Sequence, residues 1–554
     1  MVEQNKQNCY EYFLECVRTD YGELDYDAVE QFGHRIRRSE FVRHVDCLAV
    51  YFQKDLGLVR GDVYTVFLPT GIQSFAAFYA LNKLGVIVNF VHPLSPPEVL
   101  AEAMTDTGSK GILILDILAA KYIKVINAAR TPCLVCSYSD YPGFVKKMGL
   151  RVFELFGALP TRGLKQRYSY RRAIRKYPPI DGLTGNGNDI AVYLHGGGTT
   201  GKSKTIKLTS SAINTVAFKV GKFGGVEEPG VDATVMVLPL FHAFGLCLAM
   251  HVPMCSAGRI IPMSQFHSKR FNRLMRRNKI IFLVGIPVMY KKLMREDNFD
   301  GAHLKNLRLL FCGGDDVTEA SLDEFNACLE KWGSPGQLYR GYGLTEVASV
   351  CSVNNAENFK RHTIGKALEG VRMEIWDENK QPLPIGEVGE IVISGPTAME
   401  GYFTLDKPAD EGLYTDSEGA KWVLSGDLGY TDEDGYFYFS GRKKRLIIIS
   451  GYNVYPHDIE ARVEELPCIR EVCAAQGYAN GKPLIRLFVS LRESGRDEEL
   501  KKEILRHCEA HLPSFSWPRE IVVMNELPRT HMKKVDFMKL TEFAPKPMEE
   551  EKPE

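Results

Sequence analysis

Residues 196–204 read GGGTTGKSK and follow the apolar run DIAVYLH at 189–195. A glycine-rich turn after a strand can cradle phosphates, because backbone N–H groups approach the ligand with no side chains in the way. The string also satisfies G-x-x-x-x-G-K-[ST], the loop of P-loop ATPases. That loop needs its Lys-Ser/Thr at the start of a helix, where free N–H groups and the helix dipole face the phosphates. Here the next residues, KTIKLT at 204–209, alternate as a strand, and a helical pattern begins only after Thr209, a fitting N-cap. A loop between two strands does not poise Lys202 as a P-loop lysine. It does offer the hydroxyls of Thr199 and Thr200 and the charge of Lys204 to a phosphate or its metal ion.

Two further apolar runs end in glycine turns, LRLLFC-GGDD and QLYR-GYGLTE. In α/β sheets, ligands gather beyond the carboxyl ends of strands, where such turns converge. GYGLTE at 341–346 brings an aromatic plate, a hydroxyl and a carboxylate together, suited to a purine, a phosphate and Mg²⁺ respectively. Further on, Asp427 can chelate two ribose hydroxyls, and Arg442 follows in the same block.

The elements that must position these groups follow from the rhythm of the chain. From about 60 to 350, short β-rich runs such as DVYTVFLP, GVIVNFVHP and KIIFLVGIP alternate with segments such as IQSFAAFYALNKL, expected to be amphipathic helices. That predicts an α/β fold of layered, mostly parallel sheets. After 365, MEIWDENKQPLPIGEVGEIVISG reads as a small antiparallel β unit. Beyond 446 the chain reads as a compact α+β unit. The expected domains are 1–443 and 446–543, with a disordered, proline-rich tail at 544–554.

Gross composition narrows the class. Lys+Arg and Asp+Glu both total 69 in 554 residues, so the net charge is zero, and nothing global asks for a nucleic acid. No signal peptide is read at the N-terminus, and 235–258, the most apolar stretch, reads as a buried strand-turn-helix. Thirteen scattered cysteines fit reduced thiols in a cytoplasm. The one C-x-x-C, Cys133 and Cys136, reads as a core strand rather than a zinc site. Residues 165–177, KQRYSYRRAIRKY, hold six basic residues and no acid. They read as a solvated surface segment, with contact to an anionic membrane as the functional alternative.

In this order, GGGTTGKSK, PLFHAFG (239–245), CGGDD (312–316), GYGLTE, GEIVISGPTAMEGYF (389–403), the block from LSGDLGY to NVYPHDIE and LPRTHMKKVD (527–536) resemble the adenylate-forming superfamily. That superfamily includes acyl- and aryl-CoA synthetases. The resemblance runs from about residue 60 to 540. It implies a large α/β domain and a small mobile C-terminal domain. It also implies ATP, Mg²⁺ and coenzyme A as cofactor and co-substrates, and acyl-AMP as intermediate.

By the same resemblance Thr199, Thr200, Gly201 and Lys204 hold the β- and γ-phosphates, Thr345 meets the α-phosphate, and Glu346 with Thr200 holds the metal. Gly314, Asp315, Gly341 and Tyr342 line the adenine site, with Phe439 from the far side. Asp427 takes the ribose and Arg442 the ribose or phosphate side. Lys534 is the catalytic lysine, with Lys533 as the alternative because it stands where glycine is usual. His242 and Phe244 lie where acyl pocket and adenylate meet, with Leu248, Ser349 and Val350 around the acid. Gly451, in SGYN, faces the pantetheine tunnel. Departures from the family pattern are Ser203 for proline, Thr205 for glycine, Arg445 at the hinge and Ile448 for a lysine. The activity implied is ligation of a medium- or long-chain fatty acid to CoA. An aryl or steroid acid, a separate acyl carrier protein as acceptor, and a non-catalytic binding protein stand as alternatives.

Overall fold

Short runs of β-branched and aliphatic residues become the inner strands of two stacked sheets. The structure is a computed structural model and describes residues 6–141, 161, 163–178, 182, 184–196, 204–221, 225–296, 299, 301–314, 317–403, 412–449, 452–479, 482–492, 497–529 and 535–542. The first sheet has eight strands. Its parallel part runs through Ile190–Gly196, Ile87–Phe90, Val63–Phe67, Ile112–Leu115, Cys133–Cys136 and Arg167–Ser169. Two antiparallel strands, Lys204–Thr209 and Tyr402–Phe403, close one edge. The second sheet has nine strands. Asp27–Gln31, Arg259–Pro262, Asp232–Met236, Lys279–Gly285, Leu309–Cys312 and Leu338–Tyr342 run parallel within it. Runs this apolar suit strands covered on both faces. Cys133–Cys136 is such a strand, buried along its length, as the core reading expected.

Helices fill the space between the sheets. Ile72–Lys83, expected to be amphipathic, is instead buried on every side. Its polar residues survive there because each has a partner: Lys83 Nζ meets Asp46 at 2.8 Å, and Asn82 Oδ1 accepts the Cys9 amide at 2.6 Å. Partnered polar groups are tolerated in a core where unpartnered ones are not. Thr209 caps Ser210–Gly221, its hydroxyl accepting the Ala212 N–H at 3.1 Å. The apolar stretch from 235 forms a strand, a turn and the helix Phe244–His251, wound in the wider π form, then Val252–Cys255. A π-helix is rare and is found mostly at functional sites.

An antiparallel five-stranded sheet follows, in the order Arg372–Trp376, Gly389–Ser394, Lys421–Thr431, Leu413–Thr415, with Phe437–Arg442 also on Lys421–Thr431. The C-terminal unit is α+β. The hairpin Ile447–Ile449 with Tyr452–Val454 leads to helix Pro456–Glu464 and to a three-stranded sheet, Ile469–Ala479, Lys482–Leu491 and Glu520–Val523. Asp497–His511 covers it, and Phe537–Glu542 ends the described chain.

The strand carrying Asp427 is anchored at its start by Trp422. That indole is 2% exposed, lies 4.8 Å from the Trp376 ring and donates to Asp416 Oδ2 at 2.8 Å. Trp422→Ala removes this anchor and leaves a cavity, so a loss of about 3–5 kcal/mol is expected. Thermal unfolding should show a lowered Tm; an unchanged Tm would mean that this cluster carries no weight.

Candidate active site

The hairpin around the glycine-threonine loop sets one side of the site. Gly196 and Lys204 are direct partners across it, so the loop joins two antiparallel strands and not a strand to a helix. The P-loop geometry is therefore absent. Beneath the loop, His195 Nε2 meets Asn89 Oδ1 at 2.7 Å and His195 Nδ1 meets the Thr205 hydroxyl at 3.0 Å. Burial pulls the His195 imidazole down to about 4, so it is neutral. The Asn89 amide nitrogen already donates to Thr65 and Ala103, so its oxygen takes the His195 Nε2–H while Nδ1 accepts from Thr205. Thr205, the departure from glycine, thus belongs to a bonded cross-strand pair.

The edge strand then links two predicted groups. Tyr402 pairs with Ile206, places its ring 4.6 Å from the Lys204 ammonium, and donates its hydroxyl to Glu346 Oε1 at 2.9 Å. Lys204 and Glu346, 142 residues apart in sequence, meet through one tyrosine. The Met399 amide holds the Glu346 carbonyl at 2.8 Å, fixing the short turn Thr345–Val347 from behind. Tyr402 and His195 were not foreseen: a two-residue strand has no period, and a lone histidine before a glycine run carries no pattern.

A second cluster forms where three strands converge. Asp427 and Arg442 are cross-strand partners with Arg442 Nη1 2.7 Å from Asp427 Oδ1, and the Tyr342 hydroxyl donates to Asp427 Oδ2 at 2.7 Å. Phe439 stands 6.4 Å from the Tyr342 ring and 5.2 Å from the His457 ring of the C-terminal unit. Burial pushes the Asp427 carboxyl up to about 6, although Arg442 and Tyr342 favour its ionised form.

The third group is apolar. Gly314 has φ +76°, and a Cβ there would lie 3.6 Å from Ile286 and 3.7 Å from the Phe244 ring. The same ring lies beside Gly313, whose Cβ would press on the Gly341 carbonyl at 3.0 Å. Val350 approaches Gly341, and Leu248 lies buried one turn on from Phe244. Ala348 and Ser349 both have positive φ, 53° and 102°, and the Ser349 hydroxyl is buried with no partner among the described residues. Such backbone strain concentrates at functional sites. His242 is half-buried beside Phe241, which packs 4.5 Å from His92.

Thr199, Thr200, Gly201, Ser203, Asp315, Gly451, Lys533 and Lys534 lie outside the described residues. Of the others, Lys204 and Glu346 meet through Tyr402, Tyr342, Asp427, Arg442 and Phe439 form one cluster, and Phe244, Gly314, Gly341 and Val350 form another; the His242 ring meets Phe241 instead. Among the described residues no group of three or more His, Cys, Asp or Glu could hold a metal. Mg²⁺ commonly uses one or two carboxylates plus substrate phosphates and water, and Glu346 fits that donor set.

Asp427 gives a signed prediction. Its folded pKa lies above the unfolded value, so its stabilising contribution is present below about pH 4 and is lost as pH rises through about 6. Asp427→Asn cannot ionise, so in the absence of nucleotide it should melt several degrees above wild type at pH 7.5. That advantage, about 2–3 kcal/mol, should vanish at pH 4. Equal differences at both pH values would refute the assignment.

The AMP-binding enzyme profile matches residues 19–403 and the AMP-binding enzyme C-terminal domain profile matches 458–534. The match reaches further towards the N-terminus than the sequence motifs do. The chain is 26% identical over 504 residues to a long-chain-fatty-acid–CoA ligase of Salmonella typhimurium, covering 88% of this chain and 86% of that one. It is 27% identical over 536 residues to the Bacillus subtilis protein of the same name, covering 94% and 92%. Its fold matches ATP-bound MatB from Rhodopseudomonas palustris, with a TM-score of 0.80 at 22% identity over 97% of this chain and 99% of that one. It also matches o-succinylbenzoate CoA synthetase of Bacillus subtilis bound to its acyl-adenylate, with a TM-score of 0.73 at 20% identity over 96% and 97%. The chain belongs to the AMP-binding enzyme family and carries both of its domains in order.

Proposed function

We propose that the protein is an ATP-dependent acid:CoA ligase acting on a medium- or long-chain fatty acid. The observation that carries this reading is the convergence of Lys204, Tyr402 and Glu346 with Tyr342, Asp427 and Arg442 beside an apolar wall of Phe244, Leu248 and Val350. A carboxylate is a poor acyl donor. Its oxygen attacks the α-phosphorus of ATP, an O–P bond forms, and pyrophosphate leaves with the electron pair. The CoA thiolate then attacks the acyl carbonyl and AMP departs. Both steps bring anions together, so positioning and dispersed positive charge do the catalysis.

In this reading Lys204 and the loop residues Thr199, Thr200 and Gly201 grip the β- and γ-phosphates, and Thr345 donates to the α-phosphate. Glu346 and Thr200 hold Mg²⁺, which would supply further charge neutralisation when bound. Tyr342 and Phe439, with Gly314, Asp315 and Gly341, bracket the adenine, and Asp427 accepts the ribose hydroxyls beside Arg442. Lys534 meets the charge growing on the α-phosphate, His242 stands at the acid's carboxylate, and Gly451 borders the thiol's path. The relatives' names support a fatty acid, and all thirteen cysteines as free thiols support the reducing cytoplasm. The basic segment 165–177 supports peripheral contact with a membrane.

Mass spectrometry of products tests the reading: the protein with ATP, Mg²⁺ and a panel of fatty, aryl and steroid acids, with and without CoA. Fatty acyl-CoA is expected. Acyl-AMP accumulating despite CoA would move the acceptor to a carrier protein, and no product from any acid would overturn the ligase. Lys534→Ala should lower adenylation by about 10²–10³-fold while ATP still binds; unchanged turnover would sink its role. Asp427→Asn should raise KM for ATP roughly tenfold or more, the cost of a charged hydrogen-bond acceptor.

A further inference from the structure

Helix Ser268–Arg277 reads SKRFNRLMRR, with five basic residues and no acid. Phe271, Asn272 and Met275 are buried and root it in the second sheet's outer core, while Lys269, Arg270, Arg273 and Arg277 are exposed. Helix Tyr170–Lys176 is built the same way. Tyr170, Ala173 and Ile174 are buried, and Arg171, Arg172 and Arg175 are exposed. Among the described residues, none of these seven exposed side chains is ion-paired. In a chain of zero net charge they form a local excess, not a general basicity.

These helices stand about a hundred residues apart in sequence, yet a short aromatic bridge joins them in space. The Arg270 guanidinium lies 5.4 Å from the Phe32 ring, and that ring meets Tyr138 edge-on at 5.4 Å. Tyr138 opens the turn Tyr138–Asp140, and the next residue, Tyr141, shares a hydroxyl contact of 3.2 Å with Tyr170. Phe32 and Tyr138 are only half-buried. Phe32 is also held at φ +52° in the turn between Asp27–Gln31 and His34–Arg37, an outlier for a bulky residue. The acids nearby do not cancel the charge. Asp140 is buried, Asp55 is bonded to Lys176 and Glu296 to Ser268.

Arg270 thus stands at Phe32, and Arg171 and Arg175 act on Asp140 beside Tyr138, so basic groups flank the half-buried rings from both helices. Phe32, Tyr138 and the start of helix Ser268–Arg277 all follow the carboxyl ends of parallel strands, the end at which the candidate active site opens. We propose that this face docks on the surface of a bilayer containing anionic phospholipids. Arginine and lysine meet the headgroups and half-exposed rings suit the interfacial layer. A nucleic acid would ask for a basic domain instead. The inference rests on the fatty-acid reading only for its purpose: an apolar acid partitions into bilayers, and a docked enzyme has its site on the membrane-proximal rim.

Flotation of the full chain with vesicles tests this without substrate. Binding is expected to phosphatidylcholine mixed with phosphatidylglycerol, to be absent with phosphatidylcholine alone, and to fall as salt rises. The triple variants R171Q/R172Q/R175Q and R270Q/R273Q/R277Q should each weaken binding by roughly 100-fold, at about tenfold per 1.4 kcal/mol. Both together should abolish it, the matching Arg→Lys variants should bind like wild type, and turnover of a water-soluble short acid should be unchanged. Equal binding to neutral vesicles, wild-type binding by the Gln variants, or tighter binding to a duplex oligonucleotide than to the anionic vesicles would overturn the proposal. An inactive chain that still floats would refute the ligase reading and leave the docking face standing.

Discussion

A carboxylate buried at Asp427 is the constraint on which the arrangement of the site depends. Removing its charge from water is costly, and that cost is tolerable only where fixed partners face it. Two such partners are supplied by different strands. Tyr342 comes from the end of a parallel strand in the second sheet, and Arg442 from the neighbouring strand of the antiparallel sheet. The carboxylate therefore ties two sheets together at the point where their strand ends meet. Its raised pKa shows that the partners offset burial incompletely. A group left short of partners in the resting protein is one that gains by accepting hydroxyls from a ligand.

The other half of the site depends on an edge. The hairpin flanking the glycine-threonine loop sits near the border of the first sheet. Two devices restrain it. Below the loop, His195 locks the two strands together with Asn89 and Thr205 as its partners. Outside it, Tyr402–Phe403 adds a last strand whose tyrosine reaches Glu346. The Thr205 hydroxyl supplies half of this bracing, and a glycine could not.

Much of this was legible before the structure, for physical reasons. The parallel strands announced themselves because strands covered on both faces must be apolar throughout. The Walker-like string was rejected on what followed it, and the hairpin register agrees. Asp427, Arg442 and Tyr342 were singled out from their motifs and the family resemblance, yet their contact was not derivable, since it depends on how two sheets pack. Ile72–Lys83 misled because its polar residues imply a wet face, whereas Asp46 and Cys9 supply partners from distant elements. Tyr402 and His195 act through contacts across the fold and leave no local trace. The sequence reading singled out 165–177 as basic and passed over Ser268–Arg277, whose link to it runs through Phe32 and Tyr138.

The junction between the domains divides its basic side chains between two sets of anchors. Arg442 is held by Asp427, and Lys443 Nζ lies 3.0 Å from Glu390, so both belong to the large domain. Arg445, where the resemblance puts the hinge, is held by the other side. Its guanidinium binds Glu460 through both terminal nitrogens, donates to the Ala474 carbonyl at 3.2 Å and lies 5.5 Å from the Phe537 ring. Glu460 is itself fixed by the Ala474 amide at 2.8 Å. A planar, multiply bonded guanidinium loses far more on leaving such a nest than an exposed carboxylate or ammonium would. Between the two sets of anchors stands Lys444, exposed, with no side-chain bond among the described residues. A rotation that kept both sets of contacts would have to be absorbed in the backbone around Lys444, one residue before the position where the family resemblance puts it. In this structure the Arg445 side chain is bonded wholly within the C-terminal domain.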